Sequence, residues 1–223
     1  MRTACLSAFL ALVLAAGLAG PVSAATANFD NATVGTMPPG WLAKITGSGE
    51  PKWSVEKDDS APSRPFVLKQ SAWTPKPSFP LCVKPDATLK DGFVEVKFKP
   101  LSGTNDQAAG LVWRYRDADN YYVVRANALE DNVVLYKVEQ GKRKALDIVG
   151  RVGGYGVKEK VPAEQWSTLR VEFVGPRFRV FLNAKELFAV EDATFPDAGA
   201  VGLWTKADSV TLFDDFGYGT QPN

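Results

Sequence analysis

The sequence predicts an all-β protein, a two-sheet antiparallel sandwich. Beyond residue 24 no segment keeps the apolar period of a helix, whereas short stretches repeatedly alternate apolar and polar residues. Ten or more such stretches follow one another, separated by turn residues at about 8–12-residue spacing. Short strands spaced in this way are typical of antiparallel sandwiches.

Residues 1–24 have the pattern of a secretory signal peptide. A positive residue, Arg2, precedes an apolar run from 9 to 19 and a small-residue cleavage site at 22–24. The run is too short to span a membrane, and no second long apolar segment follows it. We therefore expect an exported protein, secreted or periplasmic, in which residues 25–223 form a single β-sandwich domain without a membrane span.

Charge and missing residue types exclude several classes of function. Without residues 1–24 the chain has 25 basic and 25 acidic residues, which argues against nucleic acid as a partner. There is no histidine, so Ser-His-Asp catalysis, Cys-His catalysis and His-ligated zinc are excluded. Cys82 is the one cysteine beyond residue 24, so it has no disulfide partner there, and we expect it to be a small buried side chain.

The first part of the domain contains few strand patterns. Short strands are predicted at Asn28–Asp30, Lys52–Glu56 and Phe66–Gln70. Between Ser60 and Pro85 proline is frequent, and proline cannot donate a ladder hydrogen bond. We therefore expect a loop or an edge strand there.

The central stretch, residues 91–139, has the clearest strand patterns. Val94, Val96 and Phe98 alternate with charged residues, and two further strands, 109–116 and 121–128, flank a polar turn. Pairing Arg116 with Tyr121 across that turn predicts a core face and a mixed, half-exposed face. The predicted core face consists of Leu111, Trp113, Tyr115, Tyr122, Val124 and Ala126. The predicted mixed face consists of Val112, Arg114, Arg116, Tyr121, Val123, Arg125 and Asn127.

The last third continues the alternation. A basic turn is predicted at 141–144, and a glycine-rich loop at 150–156 lacks the helix that a phosphate-binding loop requires. Strands are then predicted at 166–174, 177–182, 186–190, 200–205 and 210–218.

The mixed face is the first candidate site. Arg114, Arg125 and Asn127 offer paired hydrogen bonds to sugar hydroxyl groups, while Tyr121 and Trp204 offer rings on which a sugar can stack. The alternative is an ordinary solvated sheet face with cross-strand ion pairs, and for Trp204 alone packing in the core is favoured. For catalysis Glu95 is the best single candidate, because it lies in a clear strand and no acidic pair stands out by spacing.

Several segments together resemble the concanavalin A-like jelly rolls, specifically the 3-keto-disaccharide hydrolase domain family and its laminin-G-like relatives. They are Asn28-Phe29-Asp30, GLVWRYRDADNYYVVRA, WSTLRVEFVG with VFLNAKELF, and GAVGLWTKADSVTLFDDF. The resemblance implies a jelly roll with a glycan site on its concave sheet. It also implies that the first and last strands are neighbours, which would bring Asp30 near Asp214 and Asp215 as a calcium site. The E-x-D-x-x-E motif of laminarinase-type enzymes is absent.

These observations predict an exported protein that recognises a carbohydrate. One form of this hypothesis adds hydrolysis of a glycoside or of a modified 3-keto disaccharide. A non-catalytic carbohydrate-binding module is the first alternative, favoured by the missing acidic pair. An envelope module that binds a protein partner is the second.

Overall fold

A computed structural model describes residues 24–220, which form two antiparallel sheets of eight strands each. The predicted signal peptide lies outside the described residues except for Ala24. No helix long and apolar enough to cross a membrane occurs in this part of the chain. The two stacked sheets confirm the predicted sandwich and its jelly-roll architecture.

Sheet 1 has the order β14-β13-β12-β6-β16-β4-β3, with β1 also paired to β16. Its strands are β1 (Ala24–Ala27), β3 (Trp53–Lys57), β4 (Phe66–Gln70), β6 (Gly92–Ser102), β12 (Ser167–Val174), β13 (Arg177–Leu182), β14 (Lys185–Glu191) and β16 (Val210–Gly219).

Sheet 2 has the order β10-β9-β8-β7-β15-β5-β2, with β11 also paired to β9. Its strands are β2 (Leu42–Thr46), β5 (Phe79–Leu89), β7 (Ala108–Asp117), β8 (Asn120–Asn127), β9 (Asn132–Glu139), β10 (Lys142–Ala145), β11 (Val157–Lys158) and β15 (Gly199–Trp204).

The main core lies between the two sheets and contains the inward residues that alternation predicts. Trp113 stacks on Tyr122 and Phe173 at ring-centroid distances of 5.5 and 5.9 Å, and Phe178 meets its edge. All four side chains are buried. Removing a buried ring of this kind costs about 3–5 kcal/mol, so these contacts hold sheet 2 against sheet 1.

Sheet 2 is strongly curled, and its outer face is concave. Arg143 on β10 lies 4.8 Å from the ring of Phe79 on β5, although five strand spacings, about 24 Å in a flat sheet, separate those strands. Thr46 on β2 likewise reaches the Tyr121 hydroxyl on β8 at 2.8 Å. The curl therefore closes the middle of the concave face on a second apolar cluster, which includes Trp204.

Three local predictions are wrong. Residues 142–144 belong to the edge strand β10 and not to a turn, because they pair with β9. Residues 79–85, at the end of the proline-rich stretch, are the first seven residues of β5, an interior strand between β15 and β2. Pro80 lies in the regular ladder with β2, whereas Pro85 begins a short segment without a partner in β15. The opening strand is 24–27, and Phe29 follows it in a turn with a φ of 64°.

Candidate functional site

Three neighbouring strands of sheet 2 lose their regular pairing at the same level. In β7 the residues 114–116 stand opposite Tyr121 alone, between the pairs Trp113–Tyr122 and Asp117–Asn120. In β5 the residues 85–87 are extra, because consecutive residues of β15 pair with Lys84 and Thr88. Bulges change the direction of side chains and are concentrated near functional sites. A functional site is therefore expected at this end of the concave face.

Arg114 holds the bulge of β7 in place. Its φ is 47°, in the left-handed region that non-glycine residues seldom occupy. The buried guanidinium donates hydrogen bonds to the carbonyls of Lys90, Phe195 and Gly175 at 2.7–3.0 Å, and to Asp91 at 3.4 Å. Burial lowers the pKa of Arg114, and the charge of Asp91 opposes that shift.

The bulge reverses two of the predicted side-chain directions. Arg114 lies over the rings of Phe173 and Phe178 in the main core, and not on the concave face beside Arg125. Tyr115, predicted in the core, packs instead against the concave cluster, with its ring 6.0 Å from Tyr121. The predicted glycan face that paired Arg114 with Arg125 is therefore wrong in its geometry.

The irregular strands enclose an open groove of about 340 Å³, here called the bulge groove. Its apolar lining is provided by Leu42, Val83, Pro85, Ala198, Ala200 and the half-buried ring of Tyr115, together with the backbone at Gly199. Its polar rim is provided by Lys44, Thr88 and Arg116, all exposed.

The electrostatics of the bulge groove favour hydrogen-bond donation. The Lys44 ammonium makes no hydrogen bond or ion pair within residues 24–220. The Arg116 guanidinium pairs with the exposed Asp197 at 3.1 Å and lies 5.1 Å from the centroid of the Phe195 ring. Partial burial, followed by the charges of Asp117 and Asp119, raises the pKa of Tyr115 to about 12, so its hydroxyl stays protonated. An uncharged ring beside the unpaired Lys44 ammonium and the exposed Arg116 guanidinium suits a polyhydroxylated ligand with an apolar face.

The structure brings four of the predicted glycan residues together but closes them off. Tyr121, Arg125, Asn127 and Trp204 all belong to the concave side of sheet 2, and each is fully buried. The Trp204 indole donates to the Tyr121 hydroxyl at 3.3 Å. The prediction of a half-exposed face is wrong, because the curl buries these side chains away from any ligand.

Arg125 and Asn127 belong to a buried polar network. Arg125 donates to Asn132 at 2.6 Å and to Glu130 at 3.0 Å, and Asn127 donates to Asp106 at 2.8 Å. The Asp106 carboxylate also lies 2.7 Å from the Lys206 ammonium. Charges that are buried and paired in this way stabilise one arrangement of the interior and offer little to a ligand.

Glu95 lies far from these residues, on the outer face of sheet 1. Its carboxylate is 3.5 Å from Arg170, and Arg170 also pairs with Glu172 at 3.1 Å. The structure therefore separates the predicted catalytic residue from the other predicted site residues.

The three aspartates of the predicted calcium site have separate partners. Asp30 accepts from the Phe66 amide at 3.1 Å, Asp214 accepts from Ser63, and Asp215 pairs with Lys97 at 2.8 Å. Burial raises the pKa of Asp214, which weakens it as an ionised ligand. Among residues 24–220 no group of three or more acidic or cysteine side chains is placed to hold a metal ion.

Comparison with known proteins supports the fold. No family model and no curated protein sequence matches this chain. The carbohydrate binding module CBM66 from Bacillus subtilis superposes with a TM-score of 0.60 at 20% identity, over 79% of this chain and 93% of that one. Cellulose induced protein Cip1 gives 0.64 at 12% identity, over 88% and 97%. A protein of unknown function with a galectin-like fold from Bacillus subtilis gives 0.54 at 11%, over 81% and 89%. This chain therefore has the concanavalin A-like jelly-roll fold that the sequence predicts.

Proposed function

We propose that this protein is an exported carbohydrate-binding module whose ligand lies in the bulge groove. One observation carries the proposal: β7 and β5, on either side of β15, both have extra residues at one level, and Tyr115 and Arg116 of the β7 bulge stand beside an apolar groove lining. The similarity in fold to a carbohydrate binding module supports this class of ligand. Export rests on the pattern of residues 1–24.

The shape and chemistry of the groove define the expected ligand. A volume of about 340 Å³ is at the small end of the range for ligand sites, which suits one or two sugar units. The C–H face of a sugar would pack on Tyr115 and Ala200, and its hydroxyl groups would accept from Lys44 and Arg116. The groove should therefore recognise a small saccharide or the terminal unit of a longer one.

The test is a glycan-array screen followed by calorimetry on the best small saccharide. Tyr115→Ala should weaken binding at least tenfold, or about 1.4 kcal/mol, because it removes the ring and part of the floor. Tyr155→Ala is the matched control, since Tyr155 is an exposed tyrosine outside the groove. The proposal fails if no saccharide binds at millimolar concentration, or if both variants bind as the wild type does.

Hydrolysis of a glycoside or of a 3-keto disaccharide is the second candidate, and Glu95 is its proposed catalytic residue. Glu95 and Glu172 flank Arg170 in a separate groove, which favours that position for any acid chemistry. Product analysis with wild type and Glu95→Gln decides the matter. Turnover by the wild type that disappears in Glu95→Gln supports hydrolysis at Glu95. If the wild type shows no turnover, carbohydrate binding without hydrolysis is the remaining function.

A further inference from the structure

The outer face of sheet 1 contains a second depression, here called the sheet 1 trough. Two grooves of about 330 and 360 Å³ adjoin there, with the Glu95–Arg170 ion pair lining both of them. The first is also lined by Thr168, Glu172, Phe181, Asn183 and Ala184, and the second by Ala25, Thr26, Phe93, Lys97, Asp215 and Gly217. The second groove also touches Ala24, the last residue of the predicted signal peptide.

The trough runs across the strands. Its lining residues come from five neighbouring strands in the order β13-β12-β6-β16-β1. Four spacings of about 4.8 Å give a length of about 19 Å. A site of this length suits a chain of several units, whereas the bulge groove suits one or two.

The charged groups that line the trough are all paired. Arg170 pairs with Glu95 and Glu172, and Lys97 pairs with Asp215 at 2.8 Å. Arg179, beside the first groove, pairs with Glu172 at 2.9 Å and with Glu186 at 2.6 Å. Three carboxylates and two cations line the trough, and a lining without excess positive charge favours a neutral ligand over an anionic one.

One polar group in the trough retains unused hydrogen-bonding capacity. The Glu95 side chain is 38% exposed, so its carboxylate can accept from a ligand hydroxyl. The partly exposed ring of Phe181 offers an apolar surface at one end of the trough.

Small residues keep the floor of the trough open. Gly217 pairs with Glu95, so a side chain at position 217 would point to the same side of the sheet. A Cβ atom at Gly217 would meet nothing closer than 3.9 Å, so the backbone accepts a side chain there without a clash. Gly217 therefore leaves open space beside Glu95, although the packing of the sheet would allow a side chain there.

We propose that the sheet 1 trough binds a neutral, linear oligosaccharide that lies across the strands, as a second site on the opposite face from the bulge groove. A rigid sheet face with carboxylate, guanidinium, amide and hydroxyl groups beside an aromatic ring has the chemistry that recognises such a chain. The bulge groove would then hold the end of a saccharide chain and the sheet 1 trough the interior of a chain. The two chains could be separate polysaccharides or parts of one matrix.

The test measures binding of soluble neutral polysaccharides (dextran, β-glucan, xylan and levan) and of their mono- and disaccharides, by calorimetry. All variants are made in a Tyr115→Ala background, which removes binding at the bulge groove. Gly217→Phe should reduce the affinity for the bound polysaccharide at least tenfold by filling the trough. Val174→Phe is the matched control, because Val174 is exposed on the same face of β12 outside the trough, and it should bind as its parent does.

Thr26→Phe provides a second blocking variant on the exposed strand β1, in case the change at Gly217 prevents folding. The inference is overturned if no polysaccharide binds in the Tyr115→Ala background, or if both blocking variants bind as well as Val174→Phe does. These outcomes are independent of the bulge groove. Loss of mono- or disaccharide binding in Tyr115→Ala concerns that groove alone, and loss of polysaccharide binding on blocking concerns the trough alone.

Discussion

Replacing Arg114 tests whether one buried guanidinium maintains the bulge. Arg114→Ala removes a charged donor from three main-chain carbonyls, those of Lys90, Phe195 and Gly175. A hydrogen bond to a charged group contributes about 1.5–3 kcal/mol, and the three are not fully additive. We expect a loss of about 4 kcal/mol, or roughly 8–16 °C in Tm for a domain of this size. The value lies within the range of about 3–5 kcal/mol for breaking a buried ion pair.

Two further variants distinguish the side chain from the backbone. Arg114→Gly loses the same hydrogen bonds but suits a φ of 47°, so it should be at least as stable as Arg114→Ala. That order reverses the usual one in strands, where Gly is worse than Ala by roughly 0.5–1 kcal/mol. Arg116→Ala is the control for stability, because Arg116 is an exposed neighbour with one exposed ion pair, and its change should stay within about 0.5 kcal/mol.

Thermal melts and urea unfolding of the three variants provide the measurement, with binding of the small saccharide as a second readout. Arg114 does not line the bulge groove, yet both of its variants should weaken binding, since they release Tyr115 from its position. A Tm within about 3 °C of the wild type for Arg114→Ala would refute the reasoning, as would unchanged saccharide binding.

Three other predictions follow from buried or partly buried groups. Partial burial would raise the pKa of Asp208, but hydrogen bonds from the backbone of residues 104–106 lower it from 3.8 to about 2. Because the pKa of Asp208 is lower in the folded state than in the unfolded state, its stabilisation is present above pH 4 and is lost as the pH falls towards 2. In urea unfolding across that range, the free energy of unfolding should fall less steeply for Asp208→Asn than for the wild type. Burial raises the pKa of Cys82, so iodoacetamide should modify it only after unfolding, and modification of the folded protein would contradict the burial. A structural calcium ion at Asp30, Asp214 and Asp215 stays a prediction. If the ion is bound, a chelator should lower the Tm, and an unchanged Tm would exclude it.

Local alternation was sufficient to predict most of sheet 1 and the main core. The period-2 pattern of β6 and β12 places Val96 and Leu169 inward, and the structure buries both. Trp113 and Tyr122 were also predicted on one face, and they pair directly in the ladder. These features depend only on the pleat of each strand, which the sequence reports residue by residue.

The candidate site depended on features that alternation does not encode. An arginine in a strand pattern gives no sign that it adopts a positive φ, and a bulge redirects the side chains within it, here those of Arg114 and Tyr115. Tyr115 was missed for this reason, and Lys44 because β2 has no clear alternating pattern. The dipeptide Pro85-Asp86 was the one local signal of an irregular strand in this region.

The curl explains why the bulge groove lies at the end of sheet 2 and not at its centre. Arg125 and Asn127 looked exposed because polar residues usually face water, but partners close in sequence, Glu130 and Asn132, allow Arg125 to be buried at the centre of the concave side. The concave side of sheet 2 is largely filled by its own side chains, and the bulge groove opens where β5 and β7 have extra residues. In sheet 2 that place is the level of the bulge at Arg114, so the strain at this residue and the opening of the groove have the same structural cause.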